Sequence, residues 1–126
     1  MTDPKINSVG QLLDAYKSGQ RLFVDLEFEN NENLNGLNLS GSTFKNCWFI
    51  ADFTNTNLEG CIFIDSNLKT SDFRNSNLKN ATVKNCLIEN TSWKGANIEN
   101  FNFQNNFHYS ATVGQTDFIN HFINND

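Results

Sequence analysis

Long apolar runs are missing from this 126-residue chain: no stretch is long enough to span a bilayer. Its opening, MTDPKINSVG, has neither the basic start nor the apolar middle of a secretory signal. These absences predict a cytoplasmic protein without membrane association. Cysteine is scarce as well. Three thiols, an odd number with no CxxC spacing, argue for a reducing compartment and against a disulfide framework. The only histidines are His108 and His121, and neither has a second His, Cys or carboxylate at metal-site spacing. No Ser-His-Asp spacing, phosphate-binding glycine loop or paired-carboxylate motif is present, so no enzyme activity and no cofactor are expected. Nine basic residues against fourteen acidic ones leave a net charge of −5, which disfavours direct contact with nucleic acid. One modest domain is expected at this length, without room for a second core.

What the chain does contain is a five-residue rhythm. Every fifth residue from Phe53 is apolar: Phe53, Leu58, Phe63, Leu68, Phe73, Leu78, Val83, Ile88, Trp93, Ile98 and Phe103. Two residues before each lies a small side chain, from Ala51, Thr56, Cys61 and Ser66 through Ala81, Cys86 and Ala96, until Phe101 breaks the series. In an extended segment residues two apart face the same way, so the small and the large residue share an inward face. The two positions that remain are polar and rich in Asn and Gly, residues that tolerate positive φ at a bend. A short strand and a bend every five residues must coil, and each coil's backbone and apolar interior are covered by the next.

The stretches ADFTNTNLEG, SDFRNSNLKN and KGANIEN resemble the A(D/N)LXX units of the pentapeptide-repeat family, over about residues 34–123. The resemblance implies an all-β solenoid: a right-handed, four-sided β-helix of about five coils, with four units per coil and a filled interior. Four inward columns follow. The first is Leu34, Phe53, Phe73, Trp93 and Val113; the second is Leu39, Leu58, Leu78, Ile98 and Phe118. The third is Phe44, Phe63, Val83, Phe103 and Ile123, and the fourth is Phe49, Leu68, Ile88 and His108. A four-residue step from Phe49 to Phe53 predicts an irregular corner.

Upstream, SVGQLLDAYKSGQ reads as a helix opened by a Ser8–Gln11 capping box, with Val9, Leu12, Leu13 and Tyr16 on one face and Gly19 at its end. Residues 1–20 are therefore assigned to a cap over the first coil's open edge and residues 21–126 to the solenoid, as one domain. RLFVDLEF is expected as a strand alternating Leu22, Val24, Leu26 and Phe28. Cys47, Cys61 and Cys86 fall on the small inward position, where a thiol serves as a compact hydrophobe. His108 stands where the unit pattern fails, in a distorted coil or loop.

Two functions compete. The first is a protein-interaction module of unknown partner. The second follows from family members that confer quinolone resistance, which resemble DNA in shape and charge and bind DNA gyrase; this chain would then be a DNA-mimicking binder of a topoisomerase. From Asn33 onward, however, eight acidic residues face six basic ones, and Glu59, Lys79 and Glu99 would stack as a self-neutralising column. Outward positions are nearly all polar on the first two sides. On the third and fourth sides they include Trp48, Ile50, Ile62, Ile64, Leu87, Phe107, Tyr109 and Phe122, and the first seven of these are the candidate partner surface. The exit end, with Phe118, Phe122 and Ile123, is expected to be an uncapped apolar edge supporting a homodimer, as the last coil commonly does in the family.

Overall fold

Almost every five-residue unit turns its corner the same way. Two residues after the central apolar side chain, the backbone enters the left-handed region: Asp25, Asn46, Asn55, Asp65, Asn75, Asn85 and Asn105 have φ between 52° and 63°. Asn and Asp reach this region at low steric cost because a short polar side chain can bond locally. Gly95 shares this conformation at φ 80°, and a Cβ there would displace the Asn75 carboxamide of the coil before. The computed structural model describes residues 5–124 and contains α1 (Val9–Lys17), β1 (Leu22–Val24), β2 (Glu27–Asn33), β3 (Thr43–Lys45), β4 (Trp48–Asp52), β5 (Ile62–Ile64), β6 (Thr82–Lys84), β7 (Asn102–Gln104), β8 (Asn106–His108), β9 (Ala111–Val113), α2 (Gln115–Asp117) and a π-turn (Phe118–Phe122). Met1 to Pro4 and Asn125 to Asp126, which fall in the assigned cap and solenoid, lie outside the described residues.

Parallel pairing in the order β1-β3-β5-β6-β7 forms the third side. The fourth is β2 against β4, continued by bridges Trp48 to Asn67, Asn67 to Leu87 and Leu87 to Phe107. Bridges from Asp52 through Asp72 to Ser92 build the first side, and bridges from Asn38 through Asn57 and Asn77 to Asn97 build the second. The result is a right-handed, four-sided β-solenoid of about four turns with a short N-terminal helix. The fifth coil expected from the sequence is incomplete. β8 still continues the fourth side through Phe107, and the chain then leaves the coil by turning back in antiparallel β9, after which α2 and the π-turn fold back under the last layer.

Inward columns are fully buried over the repeats: Phe53, Phe73 and Trp93 on the first side and Phe44, Phe63, Val83 and Phe103 on the third are each 0% exposed. Ring centroids on the first side stack 4.8 Å (Phe53 to Phe73) and 4.4 Å (Phe73 to Trp93) apart, near the spacing of neighbouring strands. The small inward position also carries hydrogen bonds. Ser71 Oγ accepts from Ala51 N at 3.1 Å and donates to Phe49 O at 2.8 Å, and Thr56 Oγ1 donates to Leu34 O at 2.8 Å. The three cysteine thiols are buried and unbridged, with Cys61 Sγ donating to Leu39 O at 3.0 Å. A small polar side chain therefore satisfies backbone groups of the preceding coil that its bend leaves unpaired.

The irregular corner lies where the missing residue places it. From Phe49 to Phe53 no residue adopts positive φ, β4 runs straight through, and β2 in the coil above bulges between Phe28 and Glu32. Ser8 caps α1 as expected, its Oγ accepting from Gln11 N at 3.1 Å, while Gln11 Oε1 reaches Asn7 N at 2.6 Å. Leu12 is buried on the first coil, and Tyr16 Oη donates to Ser40 O at 2.8 Å.

Four expectations are corrected. RLFVDLEF is two strands, because the left-handed Asp25 resets the alternation: Phe23 is inward, and Leu22 and Val24 are 56% and 45% exposed. Val113 pairs with Asn106 in the hairpin, so it leaves the first column. Phe118 and Ile123 lie in the C-terminal helical segment, outside coil positions. His108, in β8, packs against Phe122 with centroids 5.1 Å apart and does not enter the fourth column. Once the following coil is missing, an apolar floor remains uncovered, and the tail buries it: Phe118 sits 4.8 Å from Phe103 and 5.0 Å from Phe101. With no further coil beneath, Phe101 finds room at a position otherwise reserved for small side chains.

Candidate interaction surface

Outward rows form because each coil repeats the register of the one before. Glu27, Trp48, Asn67, Leu87 and Phe107 occupy one row on the fourth side. Leu22, Thr43, Ile62, Thr82 and Asn102 occupy another on the third, and Val24, Lys45, Ile64, Lys84 and Gln104 a third. Of the sequence-predicted partner residues, Trp48 (41%), Ile62, Phe107 and Tyr109 (68%) are exposed, whereas Ile50, Ile64 and Leu87 are half-buried. Trp48, Leu87 and Phe107 are brought together on one row, Ile62 and Ile64 flank Phe63 on the neighbouring side, and Tyr109 stands apart at the tip of the hairpin. Leu22 and Val24, the residues whose phase the sequence misled, join this sector.

A cleft of about 1060 Å³ runs down the corner between these sides, with Phe23, Leu26 and Cys47 among the residues lining it, together with Leu22, Val24, Trp48, Leu87 and Phe107. Asp25, Asn46, Asp65, Asn85 and Asn105 stack along the corner. Asn46 Nδ2 donates to Asp25 Oδ1 at 2.7 Å, Asn85 Nδ2 to Asp65 Oδ1 at 3.3 Å, and Asn105 Nδ2 to Asn85 Oδ1 at 2.8 Å. The carboxamide ladder holds the two carboxylates in place. At the other end of the fourth side's strands, Glu89 is buried and anchors the hairpin through Oε1, which accepts from Tyr109 N at 2.6 Å.

Charges on the first two sides are partly compensated. Lys79 Nζ lies 3.7 Å from Glu99, and Arg74 chelates Asp72 at 2.7 Å. Partial burial pushes Asp72 up, but the Arg74 hydrogen bonds and charge outweigh it and leave the carboxyl below its ordinary value. Negative rows of the kind a DNA mimic presents are thus interrupted on these sides. The predicted dimer surface also changes: Phe118 is fully buried within its own chain, and Phe122 and Ile123 are half-buried against the core, so Phe118 cannot serve as contact area and the edge is not bare. Among the described residues no group of three or more His, Cys, Asp or Glu is placed to hold a metal ion, and no helix is long and apolar enough to cross a membrane.

No curated protein matches the chain significantly. Among solved structures, the pentapeptide repeat protein alr5209 of Nostoc PCC 7120 is similar at a TM-score of 0.60 and 21% identity, over 82% of each chain. Full-length QnrB1, a plasmid-mediated fluoroquinolone resistance protein, is similar at 0.47 and 21%, over 70% of this chain and 60% of its own. A pentapeptide repeat protein from the Arabidopsis thaliana thylakoid lumen is similar at 0.42 and 23%, over 75% and 73%. At 21% identity the likeness to alr5209 concerns the fold alone. A family model described as a pentapeptide repeat region matches residues 37–110, more than half of the chain. With its five-residue register and four-sided parallel coil, the chain belongs to the pentapeptide-repeat family.

Proposed function

We propose that the chain is a non-catalytic scaffold that binds a protein partner through the corner joining its third and fourth sides. The observation that carries this reading is the asymmetry of the solenoid. Its first two sides present Asn, Thr and partly compensated charges, while exposed Leu22, Val24, Trp48 and Phe107 line one cleft and exposed Ile62 stands outside it on the third side. Scattered apolar residues are ordinary on a protein surface, but a contiguous sector around a tryptophan has the make-up of a binding hot spot. The packed interior supports a non-catalytic role, since its space is filled with side chains.

The test is capture of native partners by the immobilised full chain. Trp48→Ala should abolish capture while lowering stability by less than about 1 kcal/mol, because the side chain is partly exposed and outside the core. Unchanged capture by that variant retires the surface.

A further inference from the structure

The cleft has a chemical bias that selects among partners. We propose that it takes an extended, basic segment of a partner protein, running along the solenoid axis with a cationic side chain at about every third residue and apolar ones between. This rests on the reading of the corner as the partner surface and specifies what it recognises.

Three carboxylates line the cleft, Asp25, Glu27 and Asp65, and Lys5 is the one cation among its described lining residues. All three carboxylates are exposed, and no ion pair among the described residues engages them. Lys45 and Lys84 stand on the outer shoulder, in the row of Val24 and Ile64, and do not line the cleft. One oxygen of Asp25 and one of Asp65 is fixed by a carboxamide of the coil below, which aims each carboxylate without neutralising it. The site is therefore an apolar trough with a negative edge. Its complement is a segment carrying both positive charge and apolar anchors.

Spacing sets the segment's conformation. Asp25 and Asp65 are two layers apart, about 9.6 Å at the usual strand separation. A polyproline II segment advances about 3.1 Å per residue and so repeats a side-chain direction every 9.3 Å or so. Trp48 and Leu87 are also two layers apart, offset from the carboxylates by one layer. A segment with a basic residue at every third position therefore sets successive cations against Asp25 and Asp65 and the intervening apolar side chains against Trp48 and Leu87. The exposed indole adds a face for a cation or a proline ring.

The probe is a labelled twelve-residue peptide of four Lys-Leu-Pro repeats, titrated with the full chain and read by fluorescence anisotropy. The charge-neutralising pair is Asp25→Asn with Asp65→Asn. Asn already occupies the same corner row at Asn46, Asn85 and Asn105 with the same left-handed backbone, so the variant keeps the fold. Binding should weaken by about tenfold or more in that double variant and fall with added salt. It should also weaken in Trp48→Ala, and a Glu-Leu-Pro peptide should not bind. Equal affinity for the double variant overturns the inference. So does an equal loss in Glu59→Gln, a change on the second side that only a non-specific charge effect would register. If capture of native partners needs Trp48 but is indifferent to the Asp25 and Asp65 pair, the basic-segment inference fails while the interaction surface stands; if capture needs neither, the surface itself fails.

Discussion

Phe73 stands in the middle of the ring ladder, and replacing it tests whether the interior is held by that ladder. It is fully buried, stacked at 4.8 Å on Phe53 and at 4.4 Å on Trp93, with the Phe63 ring edge-on at 5.8 Å. Phe73→Ala removes the whole ring. The cavity cannot close by collapse, because the layers above and below are kept apart by backbone bonds such as Phe73 N to Ser92 O at 2.7 Å and Asp72 N to Ala51 O at 3.0 Å. A poorly relaxing site puts the loss in the upper part of the range of about 3–5 kcal/mol, a large share of a stability of roughly 5–15 kcal/mol. Phe73→Leu keeps most of the volume and should cost about 1.5 kcal/mol or less. Combining Phe73→Leu with Trp93→Leu isolates the stack, whose coupling should be about 0.5–1.5 kcal/mol, whereas Phe73→Leu with Phe23→Leu, more than two coils apart, should be additive. Urea unfolding followed by circular dichroism gives these values. A cost under about 1.5 kcal/mol for Phe73→Ala, with an unchanged denaturant slope, refutes the rigid-ladder reasoning.

Thr70 is a β-branched residue held at φ 67°, where the repeat otherwise places Asn, Asp or Gly; Thr70→Asn should raise stability by about 1 kcal/mol in the same assay. Burial pushes Cys47 up to about 11 and Cys61 and Cys86 each to about 12, against 9.0 for a free thiol. An unfolded thiol ionises first, so the stability they contribute is complete below about pH 9 and lost as pH rises toward 12. Melting temperatures should fall more steeply above pH 9 for the native chain than for Cys61→Ala, and native thiols should react with a disulfide reagent only on unfolding.

The local code is written in the sequence. Five-residue spacing, a small residue two before each large one, and Asn or Gly at the bend identify Phe53 through Phe103 as interior, because every repeat solves the same short-range problem with nearest neighbours. Ser8 and Gln11 mark the helix start for a similarly local reason. The four-sided shape came from resemblance to a family, since corner angle depends on how layers stack and not on any one unit. Tertiary structure alone decided the phase of the first strand and the form of the exit end. Leu22, Phe23 and Val24 are all apolar, and only the left-handed Asp25 shows that Phe23 is the inward one. Likewise Phe118 reads as another column residue, yet the bare floor beneath Trp93 and Phe103 draws it into a helical cap. The acidic corner was also illegible: Asp25 and Asp65 are forty residues apart, and they become neighbours along one cleft only when coils of 21 and 19 residues, Phe23 to Phe44 and Phe44 to Phe63, place them in one row. A deletion and an insertion that cancel between successive coils keep the rows aligned, which no single five-residue unit can reveal.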